Sequence, residues 1–291
     1  MKTAYLIQVH NNPQHLNKLI SALDTNYCDF YIHIDSKSKV NFDLPKQDNI
    51  HILKDRVAVS WGGFSQIKAS LLLLAEAKNN NYDYYVLLSG VDYPLKNNIY
   101  IDIFFSELKG KEFIDLYPMP LFDKTFDRVE YFFFEGHQNR FINYAQAKLN
   151  YFIRLLKIKR QYPTKYCELT LYAGSQWWAL TNNCVEYTLD FVEKNPEFVE
   201  FYTHTLCADE MFFQTIIGNS AFKNNVMNAC TYTDWTGMPK PAIISKEHLS
   251  TLKKEFLDSP FGSKKKFLLF ARKFTDQSSD IVDIIDEQLR K

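Results

Sequence analysis

The sequence predicts an α/β protein with a mostly parallel central sheet that helices cover on both faces. Apolar strand-like runs alternate with helix-like segments through the first 120 residues. The composition, 46% apolar and 23% charged in 291 residues, is typical of a soluble globular protein with a sizeable core. No internal repeat, low-complexity tract or Pro/Gly/Ser-rich linker interrupts the chain, so one continuous domain over residues 1–291 is expected.

The elements of the first half follow from apolar periodicity. A helix is expected from Pro13, since Pro favours the first helical position and Leu16, Leu19 and Ile20 follow with helical spacing. Further predicted helices are 65–78 and 99–108. The predicted strands are 3–9, 30–34, 50–53, 57–59, 84–88 and 113–117. In such a sheet, ligands bind at the carboxyl ends of the strands, which makes residues 1–120 the expected nucleotide-binding half.

The second half, residues 121–291, is less regular and is the expected acceptor-binding and catalytic half. Strands are predicted at 129–134 and 176–180, and helices at 141–159 and 182–194. A short helix is expected to begin at Asp209, because carboxylates favour the first turn of a helix. A final helix is expected from Ser279.

Charge, hydropathy and cysteine pattern exclude several classes of protein. The chain carries 34 basic and 34 acidic residues, so it lacks the basic field of a nucleic-acid-binding protein, and no nucleic-acid partner is expected. No apolar stretch is long enough for a membrane span. The five cysteines are scattered and form no Cys-x-x-Cys pair, which indicates free thiols and a cytoplasmic location.

The familiar motifs of nucleotide, hydrolase and metal sites are absent. The chain has no Gly-x-Gly-x-x-Gly, no Walker loop, no Gly-x-Ser-x-Gly and no His-Glu-x-x-His. It also has no Asp-x-Asp, the carboxylate pair through which a nucleotide-sugar enzyme often holds a divalent ion. No metal and no other cofactor is therefore expected. Positive side chains would have to stabilise any diphosphate.

Two segments carry a family resemblance: SWGGFS at 60–65 and YYVLLSGVDYPLK at 84–96. They resemble the core-2/I-branching glycosyltransferases, glycosyltransferase family 14, which include β-1,6-N-acetylglucosaminyltransferases and peptide O-xylosyltransferases. Further similar blocks lie in the same order at 4–10, 33–35, 174–177, 208–215 and 269–274. The resemblance implies a GT-A fold, a UDP-sugar donor, inversion at the anomeric carbon and metal independence. The membrane anchor and disulfide cysteines of animal members are missing, which implies a bacterial, cytoplasmic relative.

Glu210 is the candidate catalytic residue. Inverting transfer needs a carboxylate that takes the proton of the attacking acceptor hydroxyl. Glu210 lies in Ala-Asp-Glu-Met-Phe-Phe, where the apolar residues that follow would partly desolvate it, and it matches the catalytic Glu of the family. The alternative is that Asp209 and Glu210 only favour a helix N-terminus.

Arg272 and Lys273 are the candidates for binding the leaving diphosphate. Arg offers a planar fork of donors and Lys a compact charge. Lys273 matches the diphosphate-binding Lys of the family. The family's second basic contact falls near Lys240 or Lys246, and the match does not decide between them.

Further donor-site and acceptor-site candidates come from strand ends and from the resemblance. Asp35 matches a segment of the family that contacts uridine, and the alternative is that it only holds a turn. For His10, Trp61 and Trp177, the alternative to ligand contact is packing in the core or in a turn. The donor-site candidates are His10, Asp35, Trp61, Ser89, Gly90 and Asp92, together with Arg272 and Lys273. The acceptor-site candidates are Trp177, Tyr232 and Trp235.

The sequence thus predicts an inverting, metal-independent glycosyltransferase that moves N-acetylglucosamine or xylose from a UDP-sugar to a glycan in cell-surface polysaccharide biosynthesis. A non-catalytic UDP-sugar- or glycan-binding module of the same fold is the first alternative. A metal-dependent transferase that uses isolated carboxylates such as Asp92 is the second. A lipid-linked oligosaccharide acceptor would bring the protein to the inner membrane face. There, the basic segment 141–159 is either a peripheral docking helix or an ordinary surface helix.

Overall fold

The strands and helices lie within the residues that the computed structural model describes, 1–121, 123–237, 240–258 and 265–291. The strands there are β1 (Thr3–Val9), β2 (Cys28–Ile34), β3 (Ile50–Ile52), β4 (Tyr84–Ser89), β5 (Asp92–Pro94), β6 (Glu112–Phe113), β7 (Tyr117–Pro118), β8 (Tyr172–Ala173), β9 (Ala179–Thr181), β10 (Val226–Met227), β11 (Thr231–Thr233), β12 (Phe256–Asp258), β13 (Lys265–Phe267) and β14 (Phe270–Arg272). The α-helices are α1 (Pro13–Leu23), α2 (Ser65–Ala77), α3 (Asn98–Glu107), α4 (Asp127–Glu130), α5 (Arg140–Leu155), α6 (Asn182–Lys194), α7 (Pro196–Thr203), α8 (Phe212–Gly218), α9 (Leu249–Leu252) and α10 (Ser279–Gln288).

A central sheet has the strand order β10-β6-β9-β4-β1-β2-β3. The strands β3, β2, β1 and β4 are parallel, β9 is antiparallel to β4 and β6, and β10 is parallel to β6. Every residue of β1 is buried, as its largely apolar sequence predicts, and the buried Gln8 side chain donates to the Ser70 hydroxyl (2.8 Å). The predicted mostly parallel α/β architecture is confirmed.

Helices cover both faces of this sheet because side chains alternate along its strands. Tyr5 and Ile7 of β1 pack in one cluster with residues of α1 and α3. Leu6 packs on the opposite face with residues of α2, α6 and α8. The predicted helices of the first half begin and end within one residue of the observed α2 and α3.

A small second sheet, β11-β14-β5, brings the end of the chain to the end of β4. β14 pairs antiparallel with β5 in a register that sets Arg272 opposite Asp92, and parallel with β11 in a register that sets Ala271 opposite Tyr232. Residues 180 positions apart in sequence thus become neighbours at the edge where ligands bind in such folds.

Two predicted strands are not formed. Residues 57–59 run beside the end of β2, but Val57 is fixed by a bond from its N–H to Nε2 of His33 (2.9 Å) and not by a strand ladder. Residues 129–134 contain the end of α4 and then extended chain with a single bridge, Tyr131 to Lys159. There, the backbone of Phe134 pairs with the side-chain amide of Asn150, so it needs no neighbouring strand.

Other observed element boundaries differ from the predicted ones for local reasons. The segment 113–117 divides between β6 and β7, which belong to different sheets, and β9 begins at Ala179. Helix α5 ends at Leu155, since Lys157 takes a left-handed backbone conformation with φ of 52°. The turn at Asp209 is a 3₁₀ turn, Ala208–Glu210, and α8 follows it. The predicted α6 and the start of α10 are confirmed.

Among the described residues, no helix combines the length and the apolar character needed to cross a bilayer.

Candidate functional site

Three parallel strands end side by side at one edge of the central sheet. The Asp35 N–H donates to the carbonyl of Val9 (2.9 Å), and the Gly90 N–H donates to the carbonyl of Gln8 (2.8 Å). A Cβ on Gly90 would lie 2.5 Å from Cγ2 of Val9, so this close approach requires glycine. The structure therefore places His10, Asp35 and Gly90 together, as the strand-end reasoning predicted.

Asp35 organises the turn that follows β2. Its side chain is nearly buried; Oδ1 accepts from the Lys37 N–H (2.8 Å), and Oδ2 lies 3.9 Å from the Lys37 ammonium. Arg56 donates to the Asp35 carbonyl (2.7 Å). The carboxylate thus holds the turn, the alternative left open by the sequence, and Lys37 adds a cation to this edge.

Asp92 and Arg272 form a buried ion pair between β5 and β14. The Arg272 Nε lies 3.3 Å from Asp92 Oδ1, and the other oxygen, Oδ2, accepts from the Ser89 N–H (2.9 Å). Burial raises the pKa of Asp92 to about 6, although Arg272 and the bond from Ser89 oppose this rise. The full burial of Asp92 against a cation disfavours the alternative in which it binds a metal ion.

Lys273 lies in a group of cations that repel one another. Its pKa is lowered, first by partial burial and then by the positive charges of Arg272 and Lys240. Lys273 in turn lowers the pKa of His10, where desolvation is the largest cause and Asp35 acts in the opposite direction. Of Lys240 and Lys246, only Lys240 is a cause of the lowered pKa of Lys273. An anion bound here would relieve the repulsion.

One short loop, residues 174–177, connects this cationic group to Glu210. The Gly174 N–H donates to the Glu210 carbonyl (2.9 Å). At the other end of the loop, the Arg272 guanidinium lies over the buried Trp177 ring, 4.3 Å from the ring centroid. As folded, Trp177 supports Arg272 and presents no open face to an acceptor.

Glu210 is held by two cations that were not singled out from the sequence. Its Oε2 accepts from Arg128 Nη1 (2.6 Å) and lies 3.0 Å from Lys124 Nζ. Arg128 is fixed in turn by donating to the Asp123 carbonyl (2.9 Å). The carboxylate therefore has a defined position at the side of the loop and partial exposure, instead of the apolar surroundings that the sequence predicted.

The neighbouring Asp209 has a different environment. Desolvation raises its pKa to about 7; the charge of Glu210 adds to the rise, while Arg128 and Lys124 oppose it. Its Oδ1 is buried and has no hydrogen-bond partner among the described residues. The two adjacent carboxyl groups thus have different environments: Glu210 is paired with cations, and Asp209 is desolvated.

The remaining aromatic candidates border this region. Trp61 is 83% exposed, which excludes the packing role beside Gly62 that the sequence left open. The loop that contains Trp61 contacts the turn that contains Glu210, because the Cys207 N–H donates to the Gly62 carbonyl (2.8 Å). Tyr232 is half-buried on β11 beside β14, and Trp235 lies about half exposed in the chain that follows.

Lys124, Arg128 and Lys37 are the functional candidates that sequence reasoning missed. Lys124 and Arg128 are four residues apart, a spacing that can place two side chains on one side of a helical turn, but they lie in a segment without periodicity. Only the fold brings them to Glu210. In the part of the chain that the structure describes, no group of three or more His, Cys, Asp or Glu side chains is arranged to hold a metal ion.

The model of the Core-2/I-Branching enzyme family matches residues 3–259. The chain belongs to the Core-2/I-Branching enzyme family. The match contains Glu210, Asp92 and the 174–177 loop. It ends before β14, so Arg272 and Lys273 lie outside it. The family predicted from the motifs at 60–65 and 84–96 is confirmed.

Curated relatives of this Core-2/I-Branching family member are xylosyltransferases. Rat and human xylosyltransferase 2 are each 28% identical over 249 residues, and rat xylosyltransferase 1 is 25% identical over 251 residues. Each match covers 81% of this chain, whereas the chain spans about a quarter of the length of these relatives (27–28%). Mouse xyloside xylosyltransferase 1 in its apo form is a solved structure with 11% identity and a TM-score of 0.33, covering 92% of this chain and 97% of that one.

Proposed function

We propose that this chain is a glycosyltransferase that moves a sugar from a UDP-sugar to a hydroxyl of a glycan, with inversion at the anomeric carbon. The observation that carries the proposal is the 174–177 loop, which contacts the Glu210 backbone at one end and supports Arg272 at the other. A carboxylate and a cationic group held on either side of one loop are what acceptor activation and departure of a diphosphate require.

Glu210 is the proposed general base. The acceptor oxygen attacks the anomeric carbon while its proton passes to the Glu210 carboxylate, and the bond from that carbon to the UDP oxygen breaks. Both cations contact Oε2, so Oε1 is the proposed proton acceptor. Arg128 and Lys124 keep the carboxylate in a fixed orientation, which general-base catalysis needs as much as basicity.

The cations around Lys273 are the proposed site of the leaving diphosphate. The positive charges of Lys240 and Arg272 repel that of Lys273, and a diphosphate would replace this repulsion with charge-assisted hydrogen bonds. His10 and the strand ends beside it would then face the nucleotide. The exposed Trp61 and the Tyr232–Trp235 region would border the acceptor.

The donor is proposed to be UDP-xylose or UDP-N-acetylglucosamine. The names of the curated relatives favour xylose, and the family resemblance includes both sugars. The acceptor is proposed to be a growing cell-surface glycan or a lipid-linked oligosaccharide, made on the cytoplasmic side. A panel of UDP-sugars, scored by thermal stabilisation of the protein, would identify the donor.

The proposed transfer uses no metal ion, because Lys273, Lys240 and Arg272 supply the positive charge at the diphosphate. Activity in EDTA is expected to stay within about twofold of the untreated enzyme. The measurement is UDP release with the preferred donor, with and without chelator. Full loss in EDTA that manganese or magnesium restores would contradict this part of the proposal.

Glu210→Gln tests the central step. The amide keeps the size of the side chain but cannot take up the proton, so kcat is expected to fall about 10²- to 10⁴-fold while UDP affinity stays nearly constant. Asp209→Asn is the matched control at the neighbouring carboxyl group. Near-normal turnover by Glu210→Gln would refute the general-base role, and UDP binding by the wild type without any turnover would favour the non-catalytic binding module.

A further inference from the structure

Helix α5 is attached to the rest of the protein by its polar side. Asn150 exchanges two hydrogen bonds with the backbone of Phe134 (both 2.8 Å), and Asn143, two turns earlier, accepts from the His137 N–H (3.2 Å). Ile153 is the one side chain of this 16-residue helix that is buried. Ordinary amphipathic helices on protein surfaces have the opposite orientation, with the apolar side inward.

The outward side of α5 is consequently apolar and aromatic. Phe141, Phe152 and Leu155 lie within about one sixth of a turn of each other around the helix axis, and all are at least half exposed. Phe141 is 84% exposed. The same exposed surface continues over Ile142, Tyr144, Leu149, Tyr151 and Leu156. Large contiguous apolar surfaces of this kind mark an interaction site.

This surface is also strongly cationic. From residue 136 to residue 167 the chain contains seven Lys or Arg residues and no Asp or Glu. Lys159 pairs with Glu130, and Arg160 donates to the backbone carbonyl of Val129 (2.8 Å), so these two charges are engaged within the protein. Arg140, Lys148 and Lys157 are exposed, and Lys148 lies in the middle of the apolar side, 4.7 Å from the Tyr144 ring centroid.

The helix lies beside the candidate active site. The Ser60 hydroxyl donates to the Gly136 carbonyl just before α5 (2.7 Å), and the loop after Ser60 contacts the turn of Glu210 through Gly62 and Cys207. The exposed Trp61 ring belongs to that same loop. Hydrogen bonds thus link the residues just before α5 to the turn that contains Glu210.

We infer that α5 docks this protein on the surface of an anionic lipid bilayer. An exposed apolar side for the acyl boundary, flanked by cations for the headgroups and lacking carboxylates, is the pattern of a helix that lies in the membrane interface. A second copy of the chain is a poor occupant, because two such cationic surfaces would repel each other. The inference goes beyond the proposed chemistry and does not depend on it.

Vesicle flotation of the full chain tests this inference. Binding is expected to vesicles of phosphatidylcholine with phosphatidylglycerol, to be far weaker to phosphatidylcholine alone, and to decrease with salt. Replacing Arg140, Lys148 and Lys157 by Gln is expected to lower the partition coefficient about 10²-fold, since each charge contributes about fivefold at such a surface. Replacing Phe141, Phe152 and Leu155 by Ser is expected to lower it at least about tenfold.

The matched control is the double variant Ile99→Ser and Ile103→Ser, which removes two exposed apolar side chains from α3 and is expected to keep full binding. Circular dichroism and Tm of each variant show that the fold is retained. No binding to anionic vesicles, equal loss in the α3 control, or no effect of the charge variant would each overturn the inference. A concentration-dependent dimer that the serine variant abolishes would overturn it in favour of a second copy.

Discussion

At the scale of single residues, the carboxylate at position 210 is positioned by charge and not by apolar packing. Arg128 and Lys124 reach the same oxygen, so the side chain is oriented before any acceptor arrives. Asp209, one residue earlier, is desolvated instead, and burial raises its pKa to about 7. Adjacent carboxyl groups in such different environments are a feature of sites where one group must remain ionised.

Lys273 carries the residue-scale prediction for the diphosphate. Lys273→Ala is expected to weaken UDP binding by roughly 1.5–3 kcal/mol, the value of a hydrogen bond to a charged group. Calorimetric titration with UDP measures this change. Lys253→Ala, which changes an exposed lysine directly after α9, is the control and is expected to bind UDP as the wild type does. Equal UDP affinity of all three proteins would mean that the cations around Lys273 face only solvent.

At the scale of elements, the predicted bounds of strands and helices agree with the structure where a single sequence pattern dominates the segment. The strand at 3–9 and the helix at 182–194 have the predicted bounds, because a largely apolar run and a clear helical period each leave few alternatives. The aromatic segment 129–134 has β propensity but no partner strand, so tertiary contacts decided its structure. Edge pairing of β14 with β5 depends on the whole chain and no local signal predicts it.

The same limit applies to the candidate site. Strand ends and the turn after residue 88 selected His10, Asp35, Gly90 and Asp92 as candidates, and the family resemblance selected Glu210; their roles in a reaction stay predictions. Lys124 and Arg128 lie some 80 residues before Glu210, and their approach to it is a tertiary contact. The role of Trp177 as the support for Arg272 also depends on the path of the 174–177 loop.

That loop gives the element-scale prediction. A Cβ on Gly174 would lie 2.0 Å from the Asp115 carbonyl oxygen, a backbone atom that cannot rotate away. Gly174→Ala is therefore expected to destabilise the protein by about 1–3 kcal/mol and to lower kcat, because the loop bonded to Glu210 must shift. Urea unfolding and steady-state kinetics measure the two effects.

Gly110→Ala separates steric crowding from backbone strain. Gly110 has a φ of 83° and no atom within 4 Å of its added Cβ, so this variant is expected to cost about 1 kcal/mol and to leave kcat unchanged. If Gly174→Ala kept normal kcat, the loop would not position Glu210.

At the scale of the whole molecule, the site is assembled from distant parts of the chain. The central sheet takes β9 and β10 from the second half, and β14 closes on β5 near the carboxyl ends of the first strands. Folding therefore places the buried pair of Asp92 and Arg272 at the junction between the two sheets. A charge at such a junction affects the stability of the whole fold.

The last prediction concerns the pH dependence of that stability. Burial raises the pKa of Asp92 from 3.8 to about 6, so between these values the folded protein holds a proton that the unfolded chain has released. The free energy of unfolding due to Asp92 is therefore highest below about pH 4 and falls as the pH rises to 6, by up to about 3 kcal/mol. Asp209 acts with the same sign up to about pH 7.

Asp92→Asn isolates this effect, because the amide does not titrate. Urea unfolding of both proteins from pH 4 to pH 7 is expected to show the wild type losing stability relative to Asp92→Asn as the pH rises. Three histidines, His10, His15 and His33, have lowered pKa values and act with the opposite sign, but they are common to both proteins and cancel in the difference. A difference that is constant with pH, or that rises, would show that Asp92 is ionised throughout this range and that Arg272 outweighs its burial.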